Sequence, residues 1–367
     1  MVRNYIVSHK EFSEYETKYS ETIWVGPLGE GKTLNDRGTN SIWRKNSSYC
    51  ELTALHKIWK SLTEDELQIG FSHYRRQLLL KKVGNEEKLA GRNSKTAILP
   101  VSVISNEKFV CLNVDELENL SRFDIVLPFE ESIQVSVKQH FLSKHGSKSW
   151  DLMIGVLERN GENDILDLLL DDQNQMSRWG NLFLLQKSFL KDLCEWLFPL
   201  LEEMESAAKR ISNFNDDRIY GFLAERMFSA YFNLLIREKS DLKVLERPTL
   251  LIDFENQDLW DRIKNIRPDE RFWIWGAGSF GEKFLNGLRL MGLENRVLGF
   301  VDSSANEQFH TFSSLEVRPP ELFFHNDNNS NRIFIVVASS QWPEISGKLK
   351  SEGRKEFVDY YCIQGFS

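Results

Sequence analysis

Residues 45–76 read KNSSYCELTALHKIWKSLTEDELQIGFSHYRR, and the run holds a helix, a short acidic turn and an apolar strand in succession. Ser48 followed three residues later by Glu51 has the spacing of a capping box, which predicts a helix start. Leu52, Leu55, Ile58, Trp59 and Leu62 recur at helical spacing and give it one apolar face. Leu67, Ile69 and Phe71 alternate with Gln68 and Gly70, the pattern of a short strand entering a core. The strand ends in Ser72-His73-Tyr74-Arg75-Arg76. Adjacent guanidiniums beside an imidazole and a phenol, at the carboxyl end of a strand, are where an open α/β sheet holds an anionic ligand. A diphosphate suits them, because the planar forks of arginine match phosphate oxygens in pairs. Glu51 keeps two readings: a helix cap, or a group that binds substrate or moves a proton.

At 367 residues the chain is long for one domain and suggests two. It is 41% hydrophobic and 27% charged, an ordinary globular composition. A net charge of −8 argues against bulk nucleic-acid binding, which requires a basic surface. Cys50, Cys111, Cys194 and Cys362 are scattered without metal-ligand spacing and fit free thiols in a reducing compartment. No signal peptide opens the sequence and no apolar run reaches the length of a membrane span. The expectation is a cytoplasmic protein that meets the inner face of the membrane only peripherally.

Outward from the opening stretch, Tyr5–Ser8 and Ile23–Gly26 read as strands, and the loop from Gly26 to Asn46 is rich in glycine and asparagine. Asp36, Asn40 and Asn46 in that loop are candidates to meet a nucleotide or sugar hydroxyls, or belong to a plain surface loop. Phe123–Leu127 predicts another strand, 131–172 is mainly helical, and Phe189–Arg210 and Ile219–Arg237 read as helices. Arg218 and Glu225 flank the start of the last of these, as part of a site or as a buried ion pair. The boundaries expected are 1–250 for the first domain, 251–270 for a linker and 271–367 for a second domain.

The second domain opens like a dinucleotide-binding βαβ unit. A strand at Arg271–Trp275 leads into Gly276-Ala277-Gly278-Ser279-Phe280-Gly281 and a helix, and Val297–Val301 ends at Asp302. The first glycine permits the turn, the second lets a phosphate approach, and the third lets helix and strand pack closely. Gly276, Gly278, Gly281 and Asp302 are therefore the cofactor-binding candidates. A strand at Ile333–Ala338 and a helix near Pro343–Glu352 continue the pattern. No Tyr-x-x-x-Lys pair follows Asp302 to carry epimerase chemistry, so a structural or docking role competes with nucleotide binding.

The order of an Asn-rich turn, KN-x-x-YCELTAL-x-x-IWK and IG-x-x-HYRR resembles the bacterial galactofuranosyltransferase domain long catalogued as a domain of unknown function. The matching residues include Asn40, Lys45, Asn46, Tyr49, Cys50, Glu51, Thr53, Trp59, Lys60, Gly70 and His73–Arg76. Further matches are Asp124–Pro128, Asn181–Phe183, Trp196–Phe198, Arg218 and Gly221–Arg226. The region from Leu79 to Leu120 departs as a longer, more polar connection, which would change acceptor choice. His56 stands where the family more often carries an aromatic residue.

The resemblance implies an α/β, GT-A-like nucleotide-sugar-binding domain with substantial helical content, followed by a small Rossmann-like domain. It implies UDP-galactofuranose as donor, inverting transfer, and a lipid-linked glycan acceptor in capsule, O-antigen or exopolysaccharide assembly beside other enzymes of that assembly. The donor-binding candidates are Asn40, Asn46, His73, Tyr74, Arg75, Arg76 and Arg218. Glu225, Glu51 and Asp36 are the candidate catalytic carboxylates. No Asp-x-Asp occurs, so the arginines take the place of a metal, or isolated carboxylates hold a divalent ion. Two other classes compete: an NAD-dependent nucleotide-sugar oxidoreductase or epimerase working at the glycines, and a non-catalytic scaffold of a glycan-assembly complex.

Overall fold

In the computed structural model, residues 2–12, 19–89, 94–104, 112–267, 270–306, 310–326 and 334–365 are described. Cys111 and Ile333 lie outside them. The chain divides into one unit of Met1–Lys81 with Val110–Thr249 and a second of Lys82–Phe109 with Leu250–Ser367.

The first unit is built on a mixed sheet. Strand Val2–Ser8 runs parallel to Ser20–Trp24 on one side and to Gln68–His73 on the other, with Val7 opposite His73. Gln68–His73 is antiparallel to Phe183–Gln186, which is antiparallel to Ile125–Pro128, itself parallel to Val244–Arg247. Because Gln68–His73 has a partner on each side and both faces covered, Gln68, Ile69, Phe71 and Ser72 are all buried. Gly70 is required there, since a Cβ would lie 2.4 Å from Asn4 Oδ1 on the next strand. Leu67, expected as the first core residue of this strand, is instead 66% exposed. Gln68 takes the inner place because its side-chain amide donates to the carbonyls of Leu120 and Phe123.

The expected helices pack together. Leu52–Lys60, Ser147–Arg159, Lys187–Ala208 and Ile219–Glu238 share one core with Phe141, Trp150, Leu197, Met204 and Met227 fully buried or nearly so. Each such side chain contributes about 1.5–3 kcal/mol on leaving water. The predicted capping box does not form. Ser48 lies inside a separate turn of helix, Asn46–Tyr49, and its hydroxyl donates to the Lys45 carbonyl. Cys50 breaks the path with φ of 50°, and Glu51 precedes the next helix without a side-chain cap. The Glu51 carboxylate is thereby released for other contacts.

The second unit carries a doubly wound sheet. Its parallel strands lie in the order Leu315–Arg318, Val297–Val301, Phe272–Trp275, Phe334–Val337, Tyr360–Cys362, and Thr311–Phe312 pairs antiparallel at the first edge. The segment Lys82–Phe109, expected as an insert of the first domain, belongs here for a packing reason. Gly287 brings helix Ser279–Leu290 against strand Thr96–Pro100, where a Cβ would lie 1.8 Å from the Ile98 carbonyl oxygen. Asn286 donates to the carbonyls of Ser94 and Thr96, and Glu282 accepts from Ser94 N–H. The stretch expected as a linker holds strand Thr249–Asp253 and helix Gln257–Lys264, whose Trp260 is fully buried and donates to Asp253.

Candidate active site

The parallel strands Val2–Ser8 and Gln68–His73 deliver His9 and His73 to the same edge of the first unit. Their rings are 5.7 Å apart, and Tyr74 lies against both, at 5.5 Å from His9 and 4.4 Å from His73. Tyr74 is buried and its N–H donates to the Val7 carbonyl, which pins the turn after the strand. Arg75 N–H donates to His73 Nδ1, and the Arg75 guanidinium lies 5.7 Å from the Tyr74 ring centre. Arg76 pairs back across the turn with His73 and presents an exposed side chain.

Helix Ile219–Glu238 brings a third guanidinium. Arg218, in the left-handed region at φ 57°, stands before its first turn and donates its N–H to the Ser47 carbonyl. Its guanidinium lies near enough to the Cys50 thiol to favour the thiolate, though burial outweighs it. Burial pushes that thiol up to about 11, so it stays protonated and unreactive at neutral pH. Burial also holds His73 well below its ordinary value, and Arg76, His9, Arg75 and Arg218 push it the same way. His9 is lowered by burial and then by Lys10, Arg75 and Arg218. The histidines are thus neutral at neutral pH, and the arginines carry the positive charge of the edge.

The carboxylates occupy different environments. Glu51 Oε1 accepts from Asn181 Nδ2 at 2.8 Å, and the residue is half-buried. Glu225 has both oxygens engaged: Oε1 accepts from Gly180 N–H at 2.8 Å and Oε2 pairs with the buried Arg226. Arg226 in turn reaches His140 Nδ1 and lies 4.8 Å from the centre of the Trp179 ring. The pair considered between Arg218 and Glu225 is replaced by this one, since Arg218 turns toward Cys50 and lies over Phe222 at 5.1 Å. Phe222 stacks on His145, whose imidazole burial pushes down to about 4.

Asp36 was expected to meet substrate. It is instead fully buried, with Oδ2 accepting from Thr53 Oγ1 at 2.6 Å, and burial raises its pKa. Asn46 joins the same knot, donating to Thr53 Oγ1 and to the Cys50 carbonyl. These two side chains fasten the loop to the start of helix Leu52–Lys60, while Asn40 stands exposed in the loop's turn. A cavity of about 10 Å³ between Pro128, Trp179, Asn181 and Phe228 is too small for a sugar. Among the described residues no group of three His, Cys, Asp or Glu side chains is placed to hold a metal ion.

In the second unit, Gly276 adopts φ of 117° and a Cβ there would lie 2.5 Å from the Ala338 carbonyl oxygen. Gly281 lets helix and strand close, and a Cβ would sit 2.0 Å from the Gly276 oxygen. Open space surrounds Gly278. Asp302 closes the turn itself: Oδ2 accepts from Ala277 N–H at 2.8 Å, and Oδ1 accepts from the N–H and hydroxyl of Ser304.

A family model described as "Domain of unknown function (DUF4422)" matches residues 3–237. The chain belongs to this family. The matched region takes in every residue of the edge just described, from His9 to Arg226. No curated protein matches the chain. A solved structure, "WbbM bifunctional glycosyltransferase apo structure", is similar with a TM-score of 0.58 at 21% identity, over 87% of this chain and 59% of that one. The likeness establishes a GT-A-like α/β fold, and this chain spans well under two thirds of its neighbour's length.

Of the residues that the structure brings to this edge, the sequence had singled out the HYRR turn, Arg218, Glu51 and Glu225. It had not singled out His9, Trp179 and Gly180, and it had Arg226 only as part of the Gly221–Arg226 match. A signal was present in the Arg178-Trp179-Gly180-Asn181 run, where a bulky aromatic precedes two residues tolerant of the left-handed region.

Proposed function

We propose that the protein is a glycosyltransferase of bacterial surface-polysaccharide biosynthesis that takes a nucleoside diphosphate sugar at the edge formed by His9, His73–Arg76 and Arg218. The observation that carries this is the meeting of Arg75, Arg76 and Arg218 around neutral histidines at the carboxyl ends of parallel strands. The family resemblance favours UDP-galactofuranose, inverting transfer to a β-linkage, and a glycan on a lipid diphosphate carrier. The similar fold of a bifunctional glycosyltransferase supports the transferase class.

As the bond to the leaving diphosphate breaks, negative charge grows on its bridging oxygen, and preorganised guanidiniums stabilise that charge at no reorganisation cost. The acceptor hydroxyl must lose a proton to a positioned carboxylate. Glu51 fits that role best. One of its oxygens holds Asn181, and the half-buried side chain remains within reach of solvent. Glu225 fits it less well, because both of its oxygens already hold neighbours, Gly180 N–H and the buried Arg226. In the second unit the acid that would meet a dinucleotide's ribose is spent on Ala277 and Ser304, which disfavours the oxidoreductase reading.

Calorimetric titration of UDP into wild type and R75A/R76A, with NAD as control, tests the reading. Losing two charged hydrogen bonds of about 1.5 kcal/mol each should weaken UDP roughly a hundredfold. NAD binding without UDP binding would refute the transferase assignment.

A further inference from the structure

We propose that Trp179 is the platform on which a sugar ring of the acceptor stacks, presented beside the donor edge by the turn that follows it. The proposal rests on the transferase reading of the same site.

The burial of this segment runs against side-chain polarity. Ser177, Arg178, Gly180, Asn181 and Leu182 are buried, while Trp179, the largest apolar side chain among them, keeps part of its surface in solvent. Hydrophobic burial alone would reverse that order, so the arrangement is one that local contacts must hold. Arg178 is drawn inward by the Pro128 carbonyl and Glu246, and its N–H donates to Ser229. Gly180 and Asn181 then take successive left-handed conformations, with φ of 91° and 52°. Glycine and asparagine enter this region more readily than other residues, and surrounding contacts hold them in it. Here they come from Glu225 on Gly180 N–H and Glu51 on the Asn181 amide.

The Trp179 ring is clamped as well, by the Arg226 guanidinium at 4.8 Å and by His140 at 5.1 Å. A rigid indole with open surface suits a sugar, whose C–H faces carry partial positive charge toward the negative ring face. Asn181 supplies a second mark of a ligand. It is only 6% exposed, yet its Oδ1 has no hydrogen-bond partner. The adjoining cavity of about 10 Å³ has room for one water or one hydroxyl to donate to it. Arg76 closes the link to the donor side, because its Cδ lies 3.3 Å from the position a Gly180 Cβ would take. The turn that carries Trp179 is thus tied to Glu51 through Asn181 and lies against Arg76 of the donor edge through Gly180.

The test uses W179A and W179F of the full chain. Saturation-transfer NMR with a panel of methyl hexosides should give signal from wild type and W179F and none from W179A. In transfer assays the acceptor KM should rise about tenfold or more in W179A and return to within a few-fold in W179F, with the UDP dissociation constant unchanged in both. The proposal is overturned if wild type binds no hexoside, if W179A keeps the wild-type acceptor KM, or if W179A and W179F lose UDP affinity alike. Hexoside binding that depends on Trp179 in a protein that fails to bind UDP would uphold the platform and reject the donor assignment.

Discussion

Replacing Glu225 with glutamine separates two roles that the sequence leaves level. The amide oxygen can go on accepting from Gly180 N–H, so the turn keeps its first anchor. The amide nitrogen, however, is a donor facing a donor. Arg226 has a side chain only 2% exposed, and its partner is 13% exposed. Removing one member of such a pair leaves a buried charge uncompensated, which typically costs 3–5 kcal/mol. His140 beside Arg226 offers only partial compensation, so E225Q should lose about 3 kcal/mol. The double variant E225Q/R226M removes the stranded charge and should recover much of that loss, giving a coupling of roughly 2 kcal/mol. Hydrogen exchange in peptides of Ile219–Glu238, followed through urea, reads the first unit by itself. A catalytic base would behave otherwise: E225Q would keep its stability and UDP affinity while turnover fell about 10²–10⁴-fold. That outcome would refute the anchoring role and move the base from Glu51 to Glu225.

The companion variant E51Q should retain UDP binding and lose turnover about 10²–10⁴-fold, and near-normal turnover would remove Glu51 from the mechanism. Saturating chelator should leave transfer unchanged if the arginines stabilise the leaving group, whereas complete loss restored by added Mg²⁺ or Mn²⁺ would overturn that account. Acid should weaken the first unit through His56, which is 8% exposed and pushed down to about 4 by burial, then by Lys60 and Lys45. Its folded value lies below its unfolded one, so the unfolded chain takes up the proton first. The contribution of His56 is complete above pH 6.5 and falls by about 3 kcal/mol as pH drops toward 4; urea midpoints across that range should fall less steeply in H56F, the remaining slope coming from His145 and His73. Gly281→Ala should cost about 2 kcal/mol or more in the second unit, since its Cβ would meet the Gly276 carbonyl, and faster exchange in peptides spanning 272–290 is the readout.

Much of the architecture was legible because it rests on local rules. Helical spacing announced Leu52–Lys60, Lys187–Ala208 and Ile219–Glu238, and the strand-glycine-helix-strand order announced the second unit. The reading failed where a distant partner outweighs local preference. Gln68 displaces Leu67 from the core because carbonyls more than fifty residues away accept its amide protons. Lys82–Phe109 joins the second unit because Gly287, far along the chain, lets a helix touch Ile98.

The sequence by itself announced alternating strands and helices and the HYRR cluster, since periodicity and a run of like charges are properties of neighbouring residues. Only the tertiary structure decided which neighbours hold each candidate carboxylate. Asp36 is buried against Thr53, Glu225 is held by Gly180 and Arg226, and Glu51 is half-buried with Asn181 on one oxygen. Whether a carboxylate can act as a base depends on what else holds its lone pairs and how much water reaches it. Those partners come from remote elements, and no local pattern encodes them.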